Sequence, residues 1–160
     1  MKSLIERART LVCHNAQYDI GCLHRLGIHY SDKTIIDTAI LAKLYDNSLM
    51  SYSLDSLSSN FLGARKDLVA LREAVESMDE RFKPKDVMAN MRTLFQHRPD
   101  LVAQYAIQDV DLTYRLSKRF KSLLYEEAFT LLPLYFFTSM ESSVKLEPPI
   151  CFKKLMSIIF

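Results

Sequence analysis

Short apolar runs alternate with helical spacings along the first half of the chain. Ser3 to Arg9 reads as the end of a helix, and Thr10 to His14 as a short buried strand. Tyr18 to Leu26 has a helical pattern with Gly27 as its stop. Lys33 to Ile36 is a second short strand, and Asp37 stands where an N-cap belongs, ahead of Ile40, Leu41, Leu44 and Tyr45. Strand, helix, strand and helix in this order predict an α/β layer.

Beyond it the pattern is helical throughout. Ser53 can cap a helix with Leu54, Leu57, Phe61 and Leu62 on one face and Gly63 at its end. Leu68, Leu71, Val75 and Met78 form the apolar stripe of another, whose charged side includes Arg65, Lys66 and Arg72. A further helix is expected from Pro84, carrying Val87, Met88, Met91, Leu94 and Phe95. Pro99 and Asp100 open the longest helix, expected to run to about Leu124. The last part, from Leu131 to Phe160, is strongly apolar and broken by Pro148 and Pro149.

Composition narrows the class. Three glycines in 160 residues favour helices over a sandwich or barrel. A net charge of +2 is too small to argue for nucleic-acid binding, so such a site has to be local. Cys13, Cys22 and Cys151 lack metal-ligand spacing and fit a reduced, cytoplasmic setting. The charged N-terminus is no signal peptide. The apolar stretch from Ala128 to Met140 falls short of the roughly 20 residues that span a bilayer, so no membrane role is expected.

Two segments carry chemistry. Val102, Tyr105, Ala106, Asp109, Thr113, Leu116, Phe120 and Leu123 share one helix face, which puts the Asp109 carboxylate in an apolar stripe while Asp111 turns away. A carboxylate there needs a partner: an arginine, a neighbouring loop it caps, or a metal. His14, Asn15 and Asp19 lie at the carboxyl end of the first strand, where open α/β sheets bind ligands. Turn formation by Asn15 and a helix-start role for Asp19 are the ordinary alternatives. His14, His24, His29 and His97 show no zinc spacing and read as surface or loop residues, and Arg65, Lys66 and Arg72 read as a solvated helix face that could touch phosphate.

Taken together, Asn15-x-x-Tyr18-Asp19 and Tyr105-x-x-x-Asp109 resemble the second and third motifs of the DEDD exonucleases. The tyrosine marks the type found as the proofreading domain of family A DNA polymerases. Ile36-Asp37-Thr38-Ala39, Ser53 to Leu57, Phe61-Leu62-Gly63 and Tyr105 to Leu116 extend the resemblance, and Met140 to Leu146 looks like the start of a polymerase domain. The resemblance implies an RNase H-like 3′-5′ exonuclease fold, helix-rich and lacking the first strands of its sheet. Residues 1–127 would be a partial exonuclease domain and 128–160 the truncated start of a polymerase-like one.

It also implies a two-metal hydrolysis at a DNA 3′ end with Mg²⁺ or Mn²⁺. Asp109 would hold an ion directly, Asp19 another through water, Tyr105 would orient the attacking water, and Asn15 would place the terminal nucleotide. The family's first motif, Asp-x-Glu, occurs nowhere in these 160 residues. Weak or absent activity of the chain alone is therefore expected, with a separate chain supplying the missing strands or the polymerase domain. A ribonuclease D-like RNA exonuclease and a non-catalytic binding fragment are the alternatives.

Overall fold

The computed structural model describes residues 2–77 and 87–141, with side chains to residue 128. Its elements are α1 (Lys2–Arg7), β1 (Thr10–Cys13), α2 (Ala16–Arg25), β2 (Thr34–Asp37), α3 (Thr38–Tyr45), α4 (Leu54–Leu62), α5 (Val69–Glu76), α6 (Met91–His97) and α7 (Pro99–Glu141). The architecture is a helix-rich α/β layer around a small parallel sheet.

The two strands pair in the register Thr10 to Thr34, Leu11 to Ile35, Val12 to Ile36 and Cys13 to Asp37. Parallel strands need a crossover rather than a tight turn, and α2 supplies it. Lys33 fastens the start of β2 to the end of α1. Its Nζ donates to the carbonyls of Glu6 and Ala8, both at 3.0 Å, with a side chain only 2% exposed. These acceptors are the free carbonyls a helix end leaves behind.

The caps work as the sequence suggests, with shifted boundaries. Asp37 accepts from Ala39 N at 2.9 Å and starts α3, while Ser53 accepts from Ser56 N at 3.3 Å and starts α4. Gly63 ends α4 at φ 62°, a left-handed turn that glycine makes without strain. Helix α2 starts at Ala16, before the expected Tyr18, because Asp37 also takes the Asn15 and Ala16 backbone N–H groups. Helix α6 begins at Met91 instead of near Pro84, since Val87 to Asn90 form a turn. Pro84 and Met78 lie outside the described residues.

Helix α7 is the spine. It runs 43 residues, well past the expected end near Leu124, with Leu124 and Ala128 continuing its buried face. Two buried clusters sit along it. Leu71, Ala74, Val75, Val87 and Leu94 pack with Leu101 at its start, with Tyr105 beside them. Ile36, Leu41, Ala42, Leu54 and Leu57 pack with Leu112, Leu116, Phe120 and Leu124 further on. Phe61 and Phe120 meet at 4.8 Å between ring centres within this second cluster. The buried face departs from the expected one: Leu101, Leu112 and Ser117 are buried as well, and Ala106 is exposed. Asp109 lies between the two clusters.

Candidate active site

The carboxyl end of β1 is built around Asp37. Asn15 adopts a left-handed backbone (φ 59°, ψ 60°), which asparagine tolerates better than most residues. Asp37 steadies the turn: Oδ1 accepts from Asn15 N at 2.9 Å and Oδ2 from Ala16 N at 2.8 Å. The Asn15 side chain makes no capping bond to the helix and is exposed at the rim of a hollow of about 450 Å³ that Asp37, Lys43 and Lys121 also line.

Asp19 lies in the first turn of α2, where its charge suits the helix dipole. It faces Cys13. Burial, then the charge of Asp19 and a hydrogen bond to it, and then Asp37, push the Cys13 thiol up to about 12. His14 is half-buried, with Nδ1 2.8 Å from Thr38 Oγ1, so the surface or loop role expected for it is corrected. Burial lowers its pKa against the opposing pull of Asp37; Lys66 and Asp109 are close enough to act on it as well.

Across from β1, α7 presents Tyr105 and Asp109 one turn apart, and the loop between α4 and α5 crosses to meet them. Lys66 Nζ lies 2.7 Å from Asp109 Oδ1, donates to the Tyr105 hydroxyl at 3.0 Å, and stands 4.8 Å from the centre of the Tyr105 ring. Asp55 Oδ1 is 3.5 Å away. One residue on, Asp67 N donates to Gln108 Oε1 at 3.1 Å, which ties the loop to the same turn of α7. Burial alone would weaken the Lys66 ammonium, but the Asp109 carboxylate and the Tyr105 oxygen outweigh it and hold its pKa above the ordinary lysine value.

Lys66 is the residue sequence reasoning missed. Its side chain is 9% exposed and paired, not part of a solvated helix face. The apolar stripe around Asp109 did demand a partner, but nothing in the spacing singled out a lysine from a distant loop.

A divalent ion at Asp109 would therefore meet a carboxylate whose buried oxygen already holds an ammonium. Among the described residues no group of three or more His, Cys, Asp or Glu side chains is placed to hold a metal ion. Nor does a hydrogen bond or ion pair among them join Asp19 to Asp109. The residues present do not, by themselves, fit a two-metal donor set.

Comparison with known proteins decides the family. The family model described as 3′-5′ exonuclease matches residues 1–125. The chain belongs to this family. Its curated relatives are DNA polymerases. DNA polymerase DpoZ of Salmonella phage PMBT28 is 29% identical over 117 residues, and DNA polymerase DpoZ of Acinetobacter phage SH-Ab 15497 is 32% identical over 118, each match covering 72% of this chain. DNA polymerase I of Treponema pallidum is 30% identical over 109 residues, 67% of this chain. The matches span 18% of the length of each phage protein and 9% of the Treponema protein. No solved structure matches.

All four residues expected from the exonuclease motifs fall within the matched span. The fold brings Tyr105 and Asp109 to one ammonium and sets Asn15 and Asp19 around the end of β1, with His14 electrostatically within reach of both groups. No helix among the described residues is long and apolar enough to cross a membrane.

Proposed function

We propose that this chain is the exonuclease unit of a family A DNA polymerase, an RNase H-like layer that removes nucleotides from the 3′ end of single-stranded or frayed DNA. One observation carries the reading: Tyr105 and Asp109 converge on a single point beside the strand end that carries His14 and Asn15. Catalytic roles fall to Asp19, Tyr105 and Asp109. Tyr105 accepts from Lys66, which leaves its own O–H proton to aim at water or a phosphodiester oxygen. The exposed Asn15 amide is placed to hold the terminal nucleotide.

The family's ion would be Mg²⁺ or Mn²⁺, held by Asp109 and Asp19 together with carboxylates from beyond the described residues. Such acids would come with further strands, from a separate chain or a longer one, and residues 128–160 would lead into a polymerase-like domain. A reduced cytoplasmic setting suits Cys13 and Cys22, which are free thiols. The ribonuclease D-like reading is the weaker one, since the relatives named above are DNA polymerases.

The test is a nuclease assay on 3′-labelled single-stranded DNA and RNA with Mg²⁺ or Mn²⁺. The chain alone is expected to cleave little or nothing, and a domain with its missing strands supplied is expected to prefer DNA. Robust Asp109-dependent cleavage by the chain alone would overturn the expectation of weakness. A preference for RNA would overturn the polymerase reading.

A further inference from the structure

We propose that the hollow of about 450 Å³ along β2 binds a free nucleoside 5′-monophosphate, with Lys43 and Lys121 at its phosphate and Ile35 and Ile40 at its base. The inference rests on the exonuclease reading, which makes that nucleotide the released product, and adds a seat for it. Neither Tyr105 nor Asp109 lines this hollow. Lys121 stands beyond Asp109 on α7, roughly 18 Å further along the helix.

The charges point to an anion. Lys121 is half-buried, and among the described residues no acid pairs with it. Lys43, on α3, has the Tyr52 ring centre 5.4 Å from its ammonium and, among the described residues, no acid either. Asp37 is the one carboxylate among the described lining residues. Its two oxygens already serve the backbone N–H groups of Asn15, Ala16 and Ala39. Two ammonium groups around one concavity without a free counter-charge are relieved by an anion, and best by a doubly charged one. A terminal phosphate carries close to two charges at neutral pH, whereas a phosphodiester inside a strand carries one.

The apolar lining suits a base. Ile35 is 40% exposed and Ile40 55%, two branched apolar side chains left open to water in a concave wall. Ile40 and Lys43 lie one turn apart on α3, so base and phosphate contacts stand side by side. Asn15 forms the rim with an exposed amide that makes no capping bond and offers both a donor and an acceptor. The volume lies within the range of small-molecule sites.

The chemistry of the cut fits the same seat. Water attacking the terminal phosphodiester breaks the bond from phosphorus to the 3′ oxygen of the preceding nucleotide, which leaves as a hydroxyl. The phosphate stays on the released nucleotide, which thereby gains a negative charge that the strand lacked. Two unpaired ammonium groups select for that gain. The hollow opens at Asn15, the residue read as holding the terminal nucleotide.

The test is binding of thymidine 5′-monophosphate to the full chain without divalent metal, read by ligand-observed NMR titration against thymidine and inorganic phosphate. The monophosphate is expected to bind at least about tenfold more tightly than either fragment. Lys121→Met and Lys43→Gln are each expected to weaken it about tenfold, and Asp109→Asn to leave it unchanged. Lys43 is exposed, so its variant decides the matter should Lys121→Met fail to fold.

No binding, equal binding of thymidine or phosphate, or an unchanged affinity in either lysine variant would overturn the proposal. Binding lost in Asp109→Asn would place the nucleotide at the catalytic residues, sinking this inference and leaving the exonuclease reading standing. A preference for RNA in the nuclease assay would instead sink the polymerase reading, with the binding results unaffected.

Discussion

The Lys66 ammonium and the Asp109 carboxylate meet at 2.7 Å, one from a loop after α4 and the other from the middle of α7. The pair meets on α7 between the residues of the two buried clusters. Lys66 is nearly buried while Asp109 is 33% exposed, so its worth lies between that of a surface pair and a buried one. Lys66→Met is expected to destabilise the chain by about 1–3 kcal/mol in metal-free urea denaturation. Asp109→Asn should cost less, because Lys66 keeps Tyr105 and Asp55. A double-mutant cycle showing no coupling would mean that the pair contributes nothing to stability.

Asp37 is the other junction. One carboxylate receives Ala39 N, Asn15 N and Ala16 N, capping α3 and fixing the left-handed turn that starts α2. An ordinary N-cap is worth about 1 kcal/mol. With three backbone donors depending on it, Asp37→Ala is expected to cost about 2–3 kcal/mol in the same denaturation experiment. Asp37→Asn keeps one acceptor oxygen and should cost roughly half as much. Equal losses for the two would mean that charge, not the number of acceptors, governs the site.

Much of this was legible in the chain. Asp37 and Ser53 announced their caps by residue type and position, and the stretches around Leu11 and Ile35 announced strands by apolar runs bounded by polar residues. Asn15, Asp19, Tyr105 and Asp109 were singled out as candidates because the motif fixes them by local spacing. What escaped detection is non-local. Asp37 reaches back to Asn15, and Lys66 reaches across to Asp109, through contacts that no periodicity encodes. His14 was placed among loop residues because its partner, Thr38, comes from the neighbouring strand's end. The length of α7 was underestimated because its buried face continues to Ala128.

Cys13 gives a chemical readout of where Asp19 sits. Its thiol is raised to about 12 by burial first and by the charge and hydrogen bond of Asp19 next. The thiolate is the reactive form, so iodoacetamide at pH 8 is expected to modify Cys13 at least about a hundredfold more slowly in the folded chain than in urea. Asp19→Asn should speed the folded reaction several-fold without abolishing the protection, since burial remains. Site-resolved mass spectrometry measures both. A rate unchanged by Asp19→Asn would place that carboxylate away from the thiol.

His14 sets the response to mild acid. Burial lowers its pKa in the folded chain; Asp37 and Asp109 oppose the shift and Lys66 reinforces it. Unfolded, the imidazole takes up its proton near pH 6.5. Between the folded and the unfolded values the unfolded chain therefore binds more protons, and stability rises with pH. The contribution of His14 is fully present above about pH 6.5 and is lost as pH falls through the lower folded value. Urea midpoints measured from pH 7.5 down to pH 5 should fall, and His14→Gln, which keeps hydrogen-bonding capacity without the titration, should flatten that slope. The carboxylates begin to titrate only at the bottom of this range, so a slope near pH 6 that survives His14→Gln would have to come from another histidine.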